Sequence, residues 1–131
     1  MITAFSIAAI PSGRIMLSLT AAESSAAFGM VLSTGAGKSA HKGMNTIFVE
    51  AMHDQRTLRF AVAFITVLAV SLLAVRAVGL LLVASSTLTA LVIVWVSNRN
   101  FGGITGDVLG ATNEITRAVA LLFVLVFLAW V

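Results

Sequence analysis

Two carboxylates, Asp107 and Glu114, stand seven positions apart in a run that also holds Gly102, Gly103, Thr105, Gly106 and Gly110. Seven residues make nearly two turns of a helix. Both side chains would therefore share one face, roughly 10 Å apart along the axis. Gly110 and Ala111 lie between them, one turn from each. Such a face is acidic at both ends and smooth in the middle, so a ligand or another backbone can come close. The separation is too wide for one metal ion to be held directly by both carboxylates. One of them can bind Mg²⁺ while the other orients a hydroxyl or amine. Gly102 and Gly103 allow a sharp turn. Thr105 or Gly106 is placed to cap the helix, and Asp107 then falls in its first turn, where the helix dipole favours an anion. Backbone N–H groups at 105–107 are suited to cradle a phosphate. Arg117 follows Glu114 at the i+3 spacing of an ion pair. The plainer alternative is a capped, re-entrant helix start that packs through its glycines.

The sequence around this run is of membrane grade. Of 131 residues, 60% are hydrophobic and 10% charged, and the mean hydropathy is +1.08. Soluble domains carry about 25% charged residues. Long unbroken apolar runs predict an all-α, multi-pass transmembrane bundle of about four membrane helices, forming a single membrane domain over 1–131. They disfavour a β-barrel, whose strands would alternate. The net charge of +3 does not signal nucleic-acid binding, because the basic residues scatter to helix ends and form no stripe. The absence of cysteine excludes disulfides, thiolate metal sites and a thiol nucleophile. Residues 1–10 are apolar without a basic leader segment, so they read as membrane domain rather than signal peptide.

Taken in order, the chain predicts a short helical end to Ile10, a break at Pro11, and a helix over about 12–32. Arg14 and Glu23, nine residues apart, are too distant to pair on that helix. Arg14 either snorkels to the interface or turns inward to hold an anion. The polar segment 33–57 contains Gly35-Ala36-Gly37-Lys38-Ser39, which is not a P-loop, since Leu32 stands where that motif needs glycine. Lys38, Lys42, Arg56 and Arg59 place the segment on the cytoplasmic side. His41 and His53 lack partners at zinc-ligand spacing. Apolar runs at 58–75 and 77–96 predict a hairpin turning near 76–79, with Arg76 at the outer surface and Trp95 in the interfacial belt as the chain returns. The last apolar stretch, 118–131, is too short to span alone. Its helix must therefore begin near the glycine turn.

The run Gly102-Gly103-Ile104-Thr105-Gly106-Asp107-Val108-Leu109-Gly110-Ala111, with Glu114 beyond it, resembles the C-terminal signature of the cobalamin synthase family, the adenosylcobinamide-GDP ribazoletransferases. Gly43-Met44-Asn45-Thr46-Ile47-Phe48 and Ser12-Gly13-Arg14 resemble weaker elements of that family, in the same order. The resemblance covers the second half of the family pattern. The acidic Asp-Gly-x-Ala-Asp element of its first half is not in this sequence. The resemblance implies Mg²⁺-dependent transfer at the cytoplasmic side of the cell membrane. In that reaction α-ribazole or its phosphate displaces GMP from adenosylcobinamide-GDP. It assigns Asp107 to Mg²⁺ or nucleophile orientation, and Glu114 to the ribazole hydroxyl. Gly102, Gly103, Thr105, Gly106 and Asn45 become substrate-binding candidates. Charge and side add Arg14, Lys38, Lys42 and Arg99 as candidates for the diphosphate. The expected partners are the bilayer and a missing N-terminal half or a second copy. Two other classes stay open: a non-enzymatic membrane scaffold or subunit, and half of a transporter with a broken helix.

Overall fold

The computed structural model describes residues 1–10, 12–38, 47, 50, 51, 55–75 and 78–130. Five helices account for nearly all of them, and no strand occurs among the described residues. They are α1 (Ile2–Ala9), α2 (Ile15–Ala36), α3 (Arg56–Val75), α4 (Val78–Phe101) and α5 (Gly106–Trp130), with a 3₁₀ turn at Ser12–Arg14 before α2. Among the described residues three segments are long and apolar enough to cross a membrane, Ser12–Ala36, Gly79–Phe101 and Gly106–Phe127, and Thr57–Leu73 is a shorter apolar helix. The fold is the multi-pass helical bundle that the composition predicts.

The bundle is organised around α2, which packs against α3, α4 and α5. Its buried positions are small: Ser18, Ala21, Ala22, Ser25, Ala26, Gly29, Ser33 and Gly35, with Phe28 the one large exception. Lipid tails are as apolar as leucine, so helices in a bilayer associate through close packing at small residues rather than by hiding from water. The contacts show how close the packing is. A Cβ on Gly29 would stand 2.8 Å from Thr116 Oγ1, and one on Gly35 would stand 2.1 Å from Phe60 Cζ. Between α3 and α4 the approach is backbone to backbone, since a Cβ on Gly79 would lie 2.6 Å from the Ser71 carbonyl. Phe28 fills the space between α2 and α3 and meets Phe64 with ring centroids 6.0 Å apart.

Helix direction follows from the same contacts. Gly29 faces Thr116 and Gly37 faces Ile104, so α5 runs antiparallel to α2. Ala21 and Ala22 share a core with Leu82, Ala120, Leu121 and Val124. Met30 packs with Val94, Ile104 and Leu109, so α4 runs parallel to α2. The ends of α2 and α4 and the starts of α3 and α5 therefore meet at one end of the bundle.

Two helix ends lie beyond the expected boundaries. The second helix continues to Ala36 instead of stopping near Leu32. Hydroxyls do not end it because each finds a partner. Thr34 Oγ1 donates back to the Met30 and Val31 carbonyls, and Ser33 Oγ donates across to Thr112 Oγ1 at 3.4 Å. Likewise α4 extends through Asn98-Arg99-Asn100 to Phe101, past the apolar run. The hairpin turn is bracketed by Val75 and Val78 as expected, while Arg76 itself lies outside the described residues.

Candidate active site

The turn between α4 and α5 is the polar end of the bundle. Gly102 has φ +71° and Gly103 φ +153°, backbone conformations that side-chain-bearing residues rarely adopt. Two hydrogen bonds hold the turn. Ser97 Oγ donates to the Gly103 carbonyl from the last turn of α4. The Ile104 N–H donates to the Lys38 carbonyl, 2.6 Å away, just past α2. The fully buried Ile104 side chain lies over Gly37, where a Cβ would come within 2.1 Å of Ile104 Cγ1. Thr105 then caps α5: the Val108 N–H donates to Thr105 Oγ1 at 3.2 Å and the Leu109 N–H to the Thr105 carbonyl at 3.1 Å. Those two bonds use the third and fourth amides of the helix. The Gly106 and Asp107 N–H groups remain at its open end, where helix geometry offers no internal acceptor.

Asp107 sits in the first turn of α5 and is exposed. Gly110, Ala111 and Glu114 follow it on the same exposed face. Nothing lies within 4 Å of the position a Cβ would take on Gly110 or Gly106, so the face is as open as its spacing predicts. Lys38 reaches this end of the bundle through its backbone bond to Ile104. Arg99, in the last turn of α4, lies over the Trp95 ring at 5.6 Å from the centroid, a cation–π contact.

Of the other predicted binding residues, two are not described and one is placed elsewhere. Lys42 and Asn45 lie outside the described residues. Arg14, expected with the diphosphate group, belongs to the exposed 3₁₀ turn at the start of α2. Lys38 lies beyond the other end of that 22-residue helix, and 22 residues span about 33 Å. Arg14 therefore does not join the residues around Asp107.

One arrangement was not foreseen from the sequence. Arg117 Nη2 donates to Glu23 Oε2 of α2 at 2.9 Å, and its Nε stands 2.7 Å from Glu23 Oε1. Its Nη1 donates to Glu114 Oε1 at 2.7 Å. The Glu114–Arg117 contact matches its i+3 spacing, whereas the partner of Glu23 comes from 94 positions away. The available signal was Glu23 itself, an acid inside an apolar span, which needs a partner on another helix.

Among the described residues no three His, Asp or Glu side chains converge on a point that could hold a metal ion.

These features define a multi-pass helical membrane protein with a stapled glycine turn and a carboxylate at one end and paired charges in the interior of its spans. The family model for cobalamin-5-phosphate synthase matches residues 1–125, and the chain belongs to that family. It is 37% identical over 102 residues to an adenosylcobinamide-GDP ribazoletransferase of Thermococcus gammatolerans, covering 77% of this chain and 42% of that relative. Relatives of the same name from Methanococcoides burtonii and Methanocella arvoryzae are 34% and 30% identical. Each match covers 82% of this chain, but only 39% and 44% of the respective relative. The chain thus spans less than half the length of these curated relatives. No solved structure matches it.

Proposed function

We propose that this chain is one part of an adenosylcobinamide-GDP ribazoletransferase, and that its glycine turn and the first turns of α5 form one wall of the active site. The observation that carries this reading is the turn itself. Its family-like sequence is fastened to the end of α2, so that an exposed carboxylate and two open amides sit beside Lys38. In the reaction, a hydroxyl oxygen of α-ribazole or its phosphate attacks the phosphorus that carries cobinamide. The phosphorus–oxygen bond to GMP breaks, GMP leaves with that electron pair, and the hydroxyl proton passes to a base. Positioning and charge neutralisation do most of the work in such transfers. The Gly106 and Asp107 amides and the Lys38 ammonium are suited to the diphosphate, with Arg99 at the rim. Glu114 Oε1 accepts from Arg117 Nη1, which fixes this carboxylate two turns further down α5. For Mg²⁺, Asp107 would be one ligand of a site completed by groups outside the described residues.

The orientation proposed is with this end cytoplasmic in the cell membrane. It rests on Lys38, Arg56, Arg59 and Arg99 gathering at or near it, against Arg14 at the other end. Because the chain has no cysteine, single cysteines report cleanly. An impermeant maleimide added to intact cells is expected to label Ser12→Cys and spare Asn100→Cys, and the reverse pattern would invert the topology.

The function is tested by reconstitution. The purified chain is placed in liposomes with adenosylcobinamide-GDP, α-ribazole phosphate and Mg²⁺, with and without the unmatched portion of the Methanococcoides burtonii relative. Product is expected only when both parts are present. Turnover by the short chain alone would show that it holds a complete ligand set. No turnover by the pair, under conditions where the intact relative is active, would remove the assignment.

A further inference from the structure

The Glu23–Arg117–Glu114 group is placed where charge is costly. Arg117 lies eleven residues into α5, about 17 Å from the polar end, and Glu23 lies at a matching depth on α2. Both belong to segments long and apolar enough to cross the bilayer. Two carboxylates and one guanidinium sum to −1. The side chains of Glu23 and Glu114 remain 53% and 61% exposed. Hydrocarbon does not tolerate a partly exposed net charge at mid-span, so such groups face protein or water rather than lipid.

The surface around the group is shaped for a helix. Ala27 follows Glu23 on the exposed side of α2, and Gly110 and Ala111 precede Glu114 on the exposed side of α5. Small residues at this spacing allow backbones to come close. The larger part of the relatives' length is unmatched by this chain. A second copy of the chain does not suit the face. Of the basic residues among those described, only Arg117 lies well inside a span, and it is already paired. A second copy would therefore meet one net negative patch with another.

We propose that the exposed face shared by α2 and α5 seats a transmembrane helix from the unmatched part of the family's full-length protein, and that this helix presents a lysine or arginine to Glu23 and Glu114. The assignment rests on family membership and not on the proposed reaction, so binding tests it without activity.

The experiment co-expresses the tagged chain with the unmatched portion of the Methanococcoides burtonii relative and measures co-purification from mild detergent. The wild-type chain is expected to capture it. Gly110→Leu is expected to reduce capture at least tenfold while the chain alone keeps its helicity, because a Cβ at this position meets nothing within the chain. Leu88→Ala, on an exposed part of α4, is expected to capture normally. Glu114→Lys is expected to lose capture and to regain it when one basic residue of the partner is changed to Glu. Three results would overturn the proposal: no capture by the wild-type chain, capture unaffected by Gly110→Leu, or disulfide-linked homodimers of Gly110→Cys in the presence of the partner. Failure of every charge swap would remove the cationic helix from it.

Discussion

Asp107→Asn, introduced into this chain and assayed with its complementing portion, is expected to lower transfer by at least a thousandfold while leaving the bundle assembled. The argument begins with what the side chain does not do. It is exposed, and among the described residues no hydrogen bond or ion pair holds it. The cap of α5 is made by Thr105, so the helix start survives without the carboxylate. The substitution forfeits only a modest favourable interaction of the anion with the helix dipole, about 0.3–1 kcal/mol. A large loss of turnover would therefore report lost chemistry. Removing a charged group from a phosphoryl-transfer site deletes stabilisation that is greatest in the transition state, and such losses fall mainly on kcat. The measurement is a single-turnover assay with circular dichroism and detergent extraction as controls. Wild-type rates from folded Asp107→Asn protein would remove Asp107 from the catalytic machinery.

The second large effect is structural. Arg117→Met leaves Glu23 and Glu114 without their shared partner inside the spans. A charged side chain at the centre of a membrane helix costs about 3 kcal/mol on insertion scales. Deleting one member of a fully enclosed ion pair costs about 3–5 kcal/mol, an upper bound here because both carboxylates are half exposed. Arg117→Met is therefore expected to lower stability by up to a few kcal/mol, read as a shifted SDS or urea unfolding midpoint in mixed micelles. Adding Glu23→Gln should recover part of the loss, because the bidentate partner no longer carries an unpaired charge. The same midpoint for wild type and Arg117→Met would show that the network contributes nothing to holding α2 against α5.

The sequence makes some of this architecture legible and hides the rest for physical reasons. Helix number and class are readable because span length and apolar composition are local properties. The start of α5 is readable because a fourteen-residue tail, 118–131, cannot cross alone, and because Thr105 and Asp107 carry the marks of a cap. The far end of α2 is not readable. Ser33 and Thr34 look like loop residues until Thr112 and the Met30 carbonyl are seen to satisfy them. The alignment of Asp107, Gly110 and Glu114 on one face follows from helical period and is present in the structure. The link from Lys38 to Ile104 cannot be anticipated from spacing, since the two residues lie 66 positions apart. Arg14 shows the opposite limit. Charge alone made it a candidate, and the direction of α2 carries it to the far end of the bundle.

The ion pair between Glu23 and Arg117 also sets an order of events on the ribosome. The two residues are 94 positions apart. At 5–20 residues per second, synthesis of Arg117 follows that of Glu23 by roughly 5–20 s. During that interval Arg117 is not there to meet the acid. Until α5 arrives, α2 carries its acid without this ion pair. Closure of the contact between α2 and α5 is thus timed by the synthesis of α5.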